Sequence, residues 1–340
     1  MRHSRSFKGA VALVIAASLS LVTACGSADA GSNSAQGNTQ VATGGERFST
    51  ADEETAKLGS DAQPGQFPRT VKHANGTTEI KAKPQRVVVL DTGELDDVLA
   101  LGITPVGMVT TEGANPVPSY LADKVKDVKS VGTIQEINVE AVAELKPDLI
   151  VGSQLRADKL YDQLSDVAPT VFSIRPGFPW KENFLLVADA LGEETKATEQ
   201  LNEYADAVKE LKEGVQGNPT ISLVRFLPEK LRLYGNLSLI GVILKDAGLA
   251  RPGNQNIDEL AAEISPENIS EAAADVIFYS SYGSPEATGE TAVINGAGWK
   301  SLEAVKAGKA YRVDDDVWFL GLGPLGAKQI VADLKAKLIG

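Results

Sequence analysis

The sequence predicts an α/β protein of two lobes with central sheets, joined by one long helical segment. Short β-branched runs alternate with helix-like segments from residue 86 to residue 174, which is typical of a parallel sheet covered by helices. Between residues 181 and 214 apolar residues recur at three- and four-residue spacing, as in helices, and the alternation resumes afterwards. The length of 340 residues fits about two domains.

The first 25 residues are organised as a signal peptide that ends at a cysteine. Arg2, Arg5 and Lys8 form a basic start, and 16 uncharged, largely apolar residues follow. This run is shorter than the ~20 residues of a transmembrane helix. Small residues precede Cys25, and the segment resembles the bacterial lipobox. The resemblance implies removal of residues 1–24 and diacylation of the Cys25 thiol. The alternative is a secretory signal followed by a free cysteine.

The composition excludes several kinds of chemistry. Cys25 is the only cysteine, which excludes an intramolecular disulfide and a thiolate metal cage. His3 is lost with the signal peptide, so His73 is the only histidine of the mature chain. We therefore expect no metal site and no cofactor. The formal net charge of -12 becomes more negative after cleavage, and an acidic chain is a poor partner for nucleic acid.

A tether and a hairpin are predicted before the first lobe's sheet. Residues 25–66 are predicted to be a flexible tether, rich in Gly, Ser, Ala, Asn and Gln at first and still polar and loosely ordered from residue 48. Residues 67–80 are predicted to form a hairpin with Asn75-Gly76 at its tip. We expect His73 in this hairpin to be a surface side chain and not a metal ligand, because no second ligand is near.

The N-terminal lobe, with the hairpin, is predicted to span residues 67–179. Its predicted elements are strand 86–90, helix 95–101 with Asp91 as its N-cap, strand 104–109, helix 138–145, strand 148–153, helix 157–166 and strand 170–174.

The linker and the C-terminal lobe follow. Residues 180–218 are predicted to be a helical linker that Gly192 divides in two. The C-terminal lobe is predicted to span residues 219–340. Its predicted elements are strands 220–227 and 231–234, helix 239–247, strands 275–280 and 310–313, and helix 324–338.

A short internal repeat relates the two lobes. Residues 138–153 and 265–280 align without a gap, and Glu140 aligns with Glu267 in the first turn of each predicted helix. One explanation is the favourable interaction of a carboxylate with a helix N-terminus. The other is that both lobes present equivalent acidic side chains to a partner with two basic pockets.

Four segments resemble the iron-siderophore and vitamin B12 class of ABC-transporter substrate-binding proteins. They are KPQRVVVLDTGELDDVLALGITPVGM, VGTIQEINVEAVAELKPDLIVGS, RLYGNLSLIGVILKDAGLARP and GWKSLEAVKAGKAYRVDDDVWFLGLGPLGA. The resemblance runs from about residue 67 to the C terminus. It implies two Rossmann-like lobes joined by one long helix, the class III architecture of these binding proteins, with ligand in a shallow cleft between the lobes.

The resemblance implies a binding protein and not an enzyme. It implies a monomer, anchored through Cys25 to the outer face of the cytoplasmic membrane, that delivers a ferric siderophore to an ABC permease dimer with its ATPase. Glu140 and Glu267 match the glutamates that relatives present to the two permease subunits. Haem, with Tyr234 or Tyr282 as axial ligand, and cobalamin are alternative ligands. A chelatase-like enzyme is a further alternative, disfavoured by the scarcity of histidine and cysteine and by the lack of a GxSxG elbow.

The candidate ligand-binding residues lie where strands end. Ligands of α/β lobes bind beyond the carboxyl ends of strands, and an anionic chelate needs arginines and aromatic side chains. The predicted ligand-binding residues are Thr92, Arg156, Trp180, Arg225, Arg232, Tyr234, Tyr282 and Trp318. Arg225 and Arg232 are expected to lie in a hairpin around Pro228 and to point to opposite faces of it. The Gly-rich residues 321–326 lack the Gly-Lys-Ser/Thr ending of a phosphate loop.

Overall fold

The computed structural model describes residues 48–111 and 115–339. The predicted signal peptide, Cys25 and the first part of the predicted tether lie outside these residues. The described strands are β1 Arg69–His73, β2 Gly76–Ile80, β3 Val87–Val89, β4 Gly107–Thr110, β5 Lys129–Thr133, β6 Leu149–Ser153, β7 Thr170–Ser173, β8 Ile221–Leu227, β9 Lys230–Tyr234, β10 Ala261–Ile264, β11 Val276–Ser281 and β12 Ala310–Arg312.

The helices of the same residues complete the element order. They are α1 Ala51–Thr55, α2 Thr92–Ala100, α3 Ala122–Val125, α4 Val139–Glu144, α5 Gln154–Ala157, α6 Tyr161–Val167, α7 Trp180–Leu191, α8 Glu194–Gly214, α9 Leu239–Asp246, α10 Glu290–Asn295, α11 Ala297–Ser301, α12 Glu303–Lys306, α13 Asp315–Trp318 and α14 Pro324–Leu338. Three 3-10 helices are Ser119–Leu121, Asp158–Leu160 and Pro266–Ala272. None of these helices is both long enough and apolar enough to cross a membrane.

The N-terminal lobe has a five-stranded parallel sheet in the order β5-β4-β3-β6-β7. Strand β3 explains why the sheet is covered on both faces. Val87 and Val89 belong to one apolar cluster, Val88 belongs to another, and all three are fully buried. Successive side chains of a strand point to opposite faces, so a continuous β-branched run needs packing partners on both sides.

The C-terminal lobe repeats this order as β10-β9-β8-β11-β12 but is not wholly parallel. Strands β8, β11 and β12 are parallel, whereas β9 runs antiparallel to β8 and to β10. The antiparallel pair β8–β9 is the hairpin expected around Pro228. The tight turn at Pro228 and Glu229 returns the chain directly beside β8.

The linker consists of two helices, as predicted. Helix α7 ends at Gly192, which adopts a left-handed conformation with a φ of 68°, a conformation that glycine adopts without strain. The last helix, α14, packs against α8 and also contacts α2 and α7. The C-terminal helix thus contacts the linker and the N-terminal lobe.

The internal repeat corresponds to one structural unit that occurs in each lobe. Helix α4 with β6, and the 3-10 helix Pro266–Ala272 with β11, occupy equivalent places, since β6 pairs with β3 and β11 pairs with β8. Asp148 accepts hydrogen bonds from the backbone N–H groups before β3, and Asp275 accepts them from Thr220 before β8. Both aspartates therefore fix the start of a neighbouring strand.

Residues 48–66 differ from the prediction of a loosely ordered segment. Phe48 and Ala51 are buried, and α1 packs against α7. Ser60 Oγ donates a hydrogen bond to Asp189 Oδ1 at 2.7 Å, and the N–H of Gly65 donates one to Glu194 at 3.1 Å. A few buried apolar side chains fix this polar stretch along the linker. They are too few to produce a hydrophobic periodicity in the sequence, so the sequence did not predict that the stretch is ordered.

The hairpin forms, but its turn and its histidine differ from the prediction. His73 pairs with Gly76, so the two turn residues are Ala74 and Asn75. His73 is buried and not at the surface, because Tyr161 packs against it and its Nε2 lies 3.0 Å from Thr78 Oγ1. Burial lowers the pKa of His73 to about 4. The imidazole is therefore neutral at physiological pH.

Candidate ligand-binding site

A cavity of about 310 Å³ lies between the two lobes. The residues of the N-terminal lobe that line it all come directly after the carboxyl ends of strands β5, β6 and β7. Open α/β sheets bind their ligands at this edge. Residues of both lobes line the cavity: Ile134, Gln135, Arg156, Arg175, Pro176, Gly177, Arg225, Leu227, Arg232, Tyr234, Ser238, Leu239, Ile240, Leu260, Tyr282, Trp318, Phe319, Leu320 and Leu322.

Four arginines converge on this cavity from separate parts of the chain. Arg156 lies in α5 after β6, and Arg175 follows β7. Arg225 on β8 and Arg232 on β9 are cross-strand partners. The two therefore share one face of the C-terminal sheet, and the expectation that they point to opposite faces is wrong. The two-residue turn at Pro228 and Glu229 is the sequence signal that fixes this pairing.

The two C-terminal arginines already carry acidic partners. Arg225 Nε donates to Asp315 Oδ1 at 2.8 Å, and its Nη1 donates to the Tyr234 hydroxyl at 3.3 Å. Burial opposes the charge of Arg225, but Tyr234 and Asp315 outweigh it and raise the Arg225 pKa. Arg232 donates from Nε and Nη2 to Glu263 at 3.0 and 2.9 Å.

The two N-terminal arginines are less compensated. Arg156 Nε lies 3.5 Å from Asp91 Oδ2, and Asp91 also accepts a hydrogen bond from Ser153. Among the described residues, no carboxylate forms an ion pair with Arg175, and its Nη1 is buried without a hydrogen-bond partner. Burial, with the nearby Arg156 charge, lowers the pKa of Arg175 to about 10. Arg175 thus keeps its positive charge at neutral pH.

The cavity has a net positive charge in an acidic protein. Within the described part of the chain, Asp91, Glu263 and Asp315 are the carboxylates that pair with its arginines, which leaves the charge of Arg175 uncompensated. Those residues contain no cluster of three or more His, Cys, Asp or Glu side chains that could hold a metal ion. The arrangement suits an anion that presents oxygen atoms to forked N–H donors.

Aromatic side chains form the remaining wall of the C-terminal side. The Arg225 guanidinium lies 4.6 Å from the Tyr282 ring centroid and 5.2 Å from that of Phe319, and Phe319 packs edge-to-face on Tyr234. Trp318 lines the cavity from within the core, where it is stacked on Phe278, and its indole N–H donates to Asp333 at 2.9 Å. These rings provide broad apolar contact around the arginines.

Two of the predicted ligand-binding residues do not line the cavity. Thr92 begins α2, is buried, and directs its backbone N–H to the Asp91 carboxylate at 2.7 Å. Trp180 begins α7, is fully buried, and packs edge-to-face against Tyr204 at 4.8 Å. The other six line the cavity: Arg156, Arg225, Arg232, Tyr234, Tyr282 and Trp318.

Several lining residues were not selected from the sequence. Arg175 follows β7 as Arg156 follows β6, and the sequence places it directly after a predicted strand, although it is not among the predicted ligand-binding residues. Gln135 follows β5, a strand that the sequence did not predict because Lys129–Thr133 is short, polar and half-exposed. Ser238 lies in the cavity as the N-cap of α9, with its hydroxyl accepting from the Gly241 N–H.

The Gly-rich residues 321–326 hold a carboxylate of the protein itself. Asp96 of α2 accepts hydrogen bonds from the N–H groups of Leu325 and Gly326 at 2.7 and 3.0 Å and from the Tyr120 hydroxyl at 2.5 Å. A Cβ at Gly323 would lie 2.7 Å from the Asp96 Cβ. The N-terminal lobe thus caps the last helix and fixes the loop from Phe319 to Leu322 beside the cavity.

The repeated glutamates lie outside the cavity and at the surface. Glu140 lies in the first turn of α4, and Glu267 lies in the first turn of the 3-10 helix Pro266–Ala272. Both are exposed. Hydrogen bonds from its own backbone and from Ser265 lower the pKa of Glu267. Each lobe therefore presents one acidic side chain from the equivalent turn.

Comparison with known proteins identifies the family. The profile of the family described as Periplasmic binding protein matches residues 87–317. The chain belongs to this family, whose members are substrate-binding proteins. The prediction of two α/β lobes joined by a helical linker, the class III architecture, is confirmed by this match and by the solved structures that resemble the chain.

Several relatives are named as siderophore- or ferric-citrate-binding proteins, and some are named as lipoproteins. The probable siderophore-binding lipoprotein YfiY of Bacillus subtilis is 41% identical over 281 residues, 78% of this chain and 86% of that protein. The Fe(3+)-citrate-binding protein YfmC of Bacillus subtilis is 31% identical over 268 residues, 76% of this chain and 82% of that protein. The crystal structure of Staphylococcus aureus SirA complexed with staphyloferrin B is 34% identical, covers 79% of this chain and 98% of SirA, and gives a TM-score of 0.71.

Proposed function

We propose that this protein binds a ferric siderophore between its lobes, outside the cytoplasmic membrane, and delivers it to an ABC permease without catalysing a reaction. The convergence of four arginines from both lobes on one cavity is the observation that carries the proposal. The names of YfiY and YfmC, and the staphyloferrin B complex of SirA, support an iron chelate as the ligand.

The chemistry of the cavity favours contact with the chelator and not with the iron. Arginine is always charged and has no lone pair to offer a metal, but it matches carboxylate and other oxygen acceptors. Arg175 Nη1 is a buried donor without a partner among the described residues. A chelator oxygen would satisfy it, and the aromatic wall would cover the apolar part of the ligand.

A titration tests the ligand class. Mature protein carrying Cys25→Ser is titrated with ferric citrate, ferric staphyloferrin B, a ferric hydroxamate, a ferric catecholate, haem and cobalamin, with tryptophan fluorescence as the signal, since Trp318 lines the cavity. We expect saturable quenching by at least one ferric chelate. Binding of haem alone, with a Soret shift lost in Tyr234→Phe or Tyr282→Phe, would contradict the proposal, as would binding of none of the ferric chelates.

We also propose that Glu140 and Glu267 bind one basic pocket on each of two permease subunits. Their exposure and their equivalent places in the repeated unit support this. Glu140→Ala with Glu267→Ala is expected to leave chelate affinity unchanged and to abolish iron uptake by cells. The matched control is Glu144→Ala with Glu271→Ala, which removes the same charge from exposed positions one turn further along both helices. Normal uptake in the first double variant contradicts this docking proposal.

We further propose that Cys25 is acylated and anchors the protein as a monomer at the outer face of the membrane. The lipobox-like sequence and the lipoprotein relatives support this. Acyl chains add roughly 0.8 kcal/mol of membrane affinity per buried methylene. Cys25→Ala is expected to remove labelling by a fatty-acid analogue. Labelling that persists in Cys25→Ala would contradict the anchor.

A further inference from the structure

Phe48 lies directly against an arginine of the cavity. The Arg175 guanidinium carbon lies 4.1 Å from the centroid of the Phe48 ring, within the range of a cation–π interaction. Phe178 packs edge-to-face on Phe48 at 5.6 Å, and its own ring centroid lies 5.6 Å from the guanidinium. Both rings are buried, so the interaction is shielded from water.

Arg175 needs such support more than the other arginines of the cavity. Asp315, Glu263 and Asp91 hold Arg225, Arg232 and Arg156 in place, whereas no carboxylate among the described residues pairs with Arg175. Its side chain donates one hydrogen bond, at 3.3 Å, from Nε to the carbonyl of Pro176. The two ring faces are therefore the main groups that can fix the direction of its guanidinium.

The segment that carries Phe48 is fixed to the linker along its length. Helix α1 packs on α7 directly after Phe48, and Ser60 and Gly65 bind Asp189 and Glu194 near the junction of α7 and α8. The segment therefore brings the Phe48 ring against Arg175, which lines the cavity.

We propose that Phe48 is a positioning residue for ligand binding, because its ring holds the Arg175 guanidinium in the direction in which it meets an anionic chelate. The N-terminal segment, outside both lobes, is thus part of the binding site. This inference rests on the proposed function, since Arg175 acts on the ligand only if the cavity binds an anion.

Binding measurements separate this role from simple packing. Phe48→Leu keeps an apolar side chain but removes the aromatic face. Phe48→Tyr keeps the aromatic face and a side chain of similar size. With ferric citrate and ferric staphyloferrin B as probes, we expect Phe48→Leu to weaken binding roughly tenfold and Phe48→Tyr to restore it. Phe67→Leu, which removes an aromatic ring from Arg69 at a place where neither residue lines the cavity, is the matched control and is expected to bind like wild type. Equal affinity of Phe48→Leu and wild type overturns the proposal.

A double-variant comparison shows whether Phe48 acts through Arg175. In an Arg175→Ala background, Phe48→Leu is expected to cause no further loss of affinity, because the group it positions is gone. A loss as large as in the wild-type background would show that Phe48 acts in another way and would overturn the proposal.

A ligand-free measurement keeps the test independent of the proposed function. The Nε–Hε signal of Arg175 in ¹⁵N-labelled protein is identified as the signal missing from Arg175→Lys. We expect the Phe48 ring to shift it upfield, the shift to persist in Phe48→Tyr and to disappear in Phe48→Leu. An unchanged signal in Phe48→Leu overturns the inference. Wild-type protein that binds none of the ferric chelates titrated above contradicts the proposed function, and the Arg175 signal then decides the role of Phe48.

Discussion

Arg175 and Arg225 are buried arginines of the same cavity in opposite electrostatic situations. Arg225 is held by Asp315 and by the Tyr234 hydroxyl, so its charge is already balanced within the protein. Arg175 pairs with no carboxylate among the described residues. A charge-assisted hydrogen bond contributes more than one between neutral groups, and Arg175 has this contribution available for a ligand. The two arginines should therefore respond differently to truncation.

Removal of each arginine has a distinct expected result. Arg175→Ala should weaken binding of an anionic ferric chelate roughly 10- to 100-fold, the range of a hydrogen bond to a charged group, with little loss of stability. Arg225→Ala leaves Asp315 without its partner in a largely buried place and should lower the melting temperature. Titration and thermal unfolding of both variants check this. Unchanged affinity in Arg175→Ala would show that Arg175 makes no ligand contact.

Glu94 of α2 gives the protein a pH-dependent stability. Burial, with the nearby Asp91 carboxylate, raises the pKa of Glu94 to about 8, and Ser173 Oγ donates to its Oε1 at 2.6 Å. The folded protein therefore holds the Glu94 proton more tightly than the unfolded chain does. This stabilisation is present at low pH and is lost as pH rises from about 4.5 to about 8.

Glu94→Gln tests this assignment, because glutamine keeps the shape of the neutral carboxyl and cannot titrate. Between pH 5 and 8 the unfolding free energy of the wild type should fall as pH rises. In the variant this fall should be smaller, by up to ~1.4 kcal/mol per pH unit. Denaturant unfolding across this pH range measures the slope. The neighbouring Asp96, whose pKa burial raises to about 6, keeps part of the decline in both proteins. Identical slopes in the two proteins would contradict the assignment.

At the scale of elements, the sequence pattern predicted the strands and helices that depend on residues close together in the chain. The runs RVVVL and DLIVGS are β-branched and became β3 and β6, and Asn138 caps α4 through the N–H of Ala141. Edge strands β5 and β10 were missed for different reasons. The sequence of β5, KSVGT, is largely polar, and that of β10, AAEI, is rich in alanine and glutamate, which are uncommon in strands. Both strands are only partly buried.

Contacts between distant elements account for the remaining differences. His73 is buried because Tyr161 comes from a helix 88 residues further along the chain. Residues 48–66 are ordered because Phe48 meets Phe178 and Ser60 meets Asp189. Residue type and periodicity report local structure, and none of these pairs is close in sequence. The same reason explains why Trp180 was chosen as a site residue although it packs in the core.

The loop before α14 makes a specific prediction at this scale. Gly323→Ala places a Cβ 2.7 Å from the Asp96 Cβ and 2.8 Å from its carboxyl group, so the cap on α14 must shift. We expect a loss of about 1–3 kcal/mol in unfolding free energy. Gly253→Ala is the control, because nothing lies within 4 Å of the added Cβ, and it should not destabilise the protein. Equal stability of Gly323→Ala and wild type would show that the loop accommodates the methyl group.

At the scale of the whole molecule, the two lobes are connected by more than the linker. Helix α14 packs on α8 and is capped by Asp96 of the N-terminal lobe. The loop that leads into α14 lines the cavity. This connection favours a small relative movement of the lobes on ligand binding.

The composition of the chain bears on how the proposed ligand is bound. A chain with so few histidines and cysteines is expected to contact a chelator and not the metal. The sequence also placed Arg156 after a strand and Arg225 and Arg232 in a hairpin. It could not show that these arginines meet Arg175 at one cavity, because their convergence depends on how the two sheets face each other.

The most direct test is the position of iron in a crystal of the protein grown with ferric staphyloferrin B or ferric citrate. Anomalous scattering at the iron edge locates the metal without reference to the rest of the density. We predict one iron peak in the cavity between Arg156, Arg175 and Arg225, coordinated by chelator oxygens and by no protein atom. Iron bound directly to Tyr234 or Tyr282, or found only outside the cavity, would contradict the account.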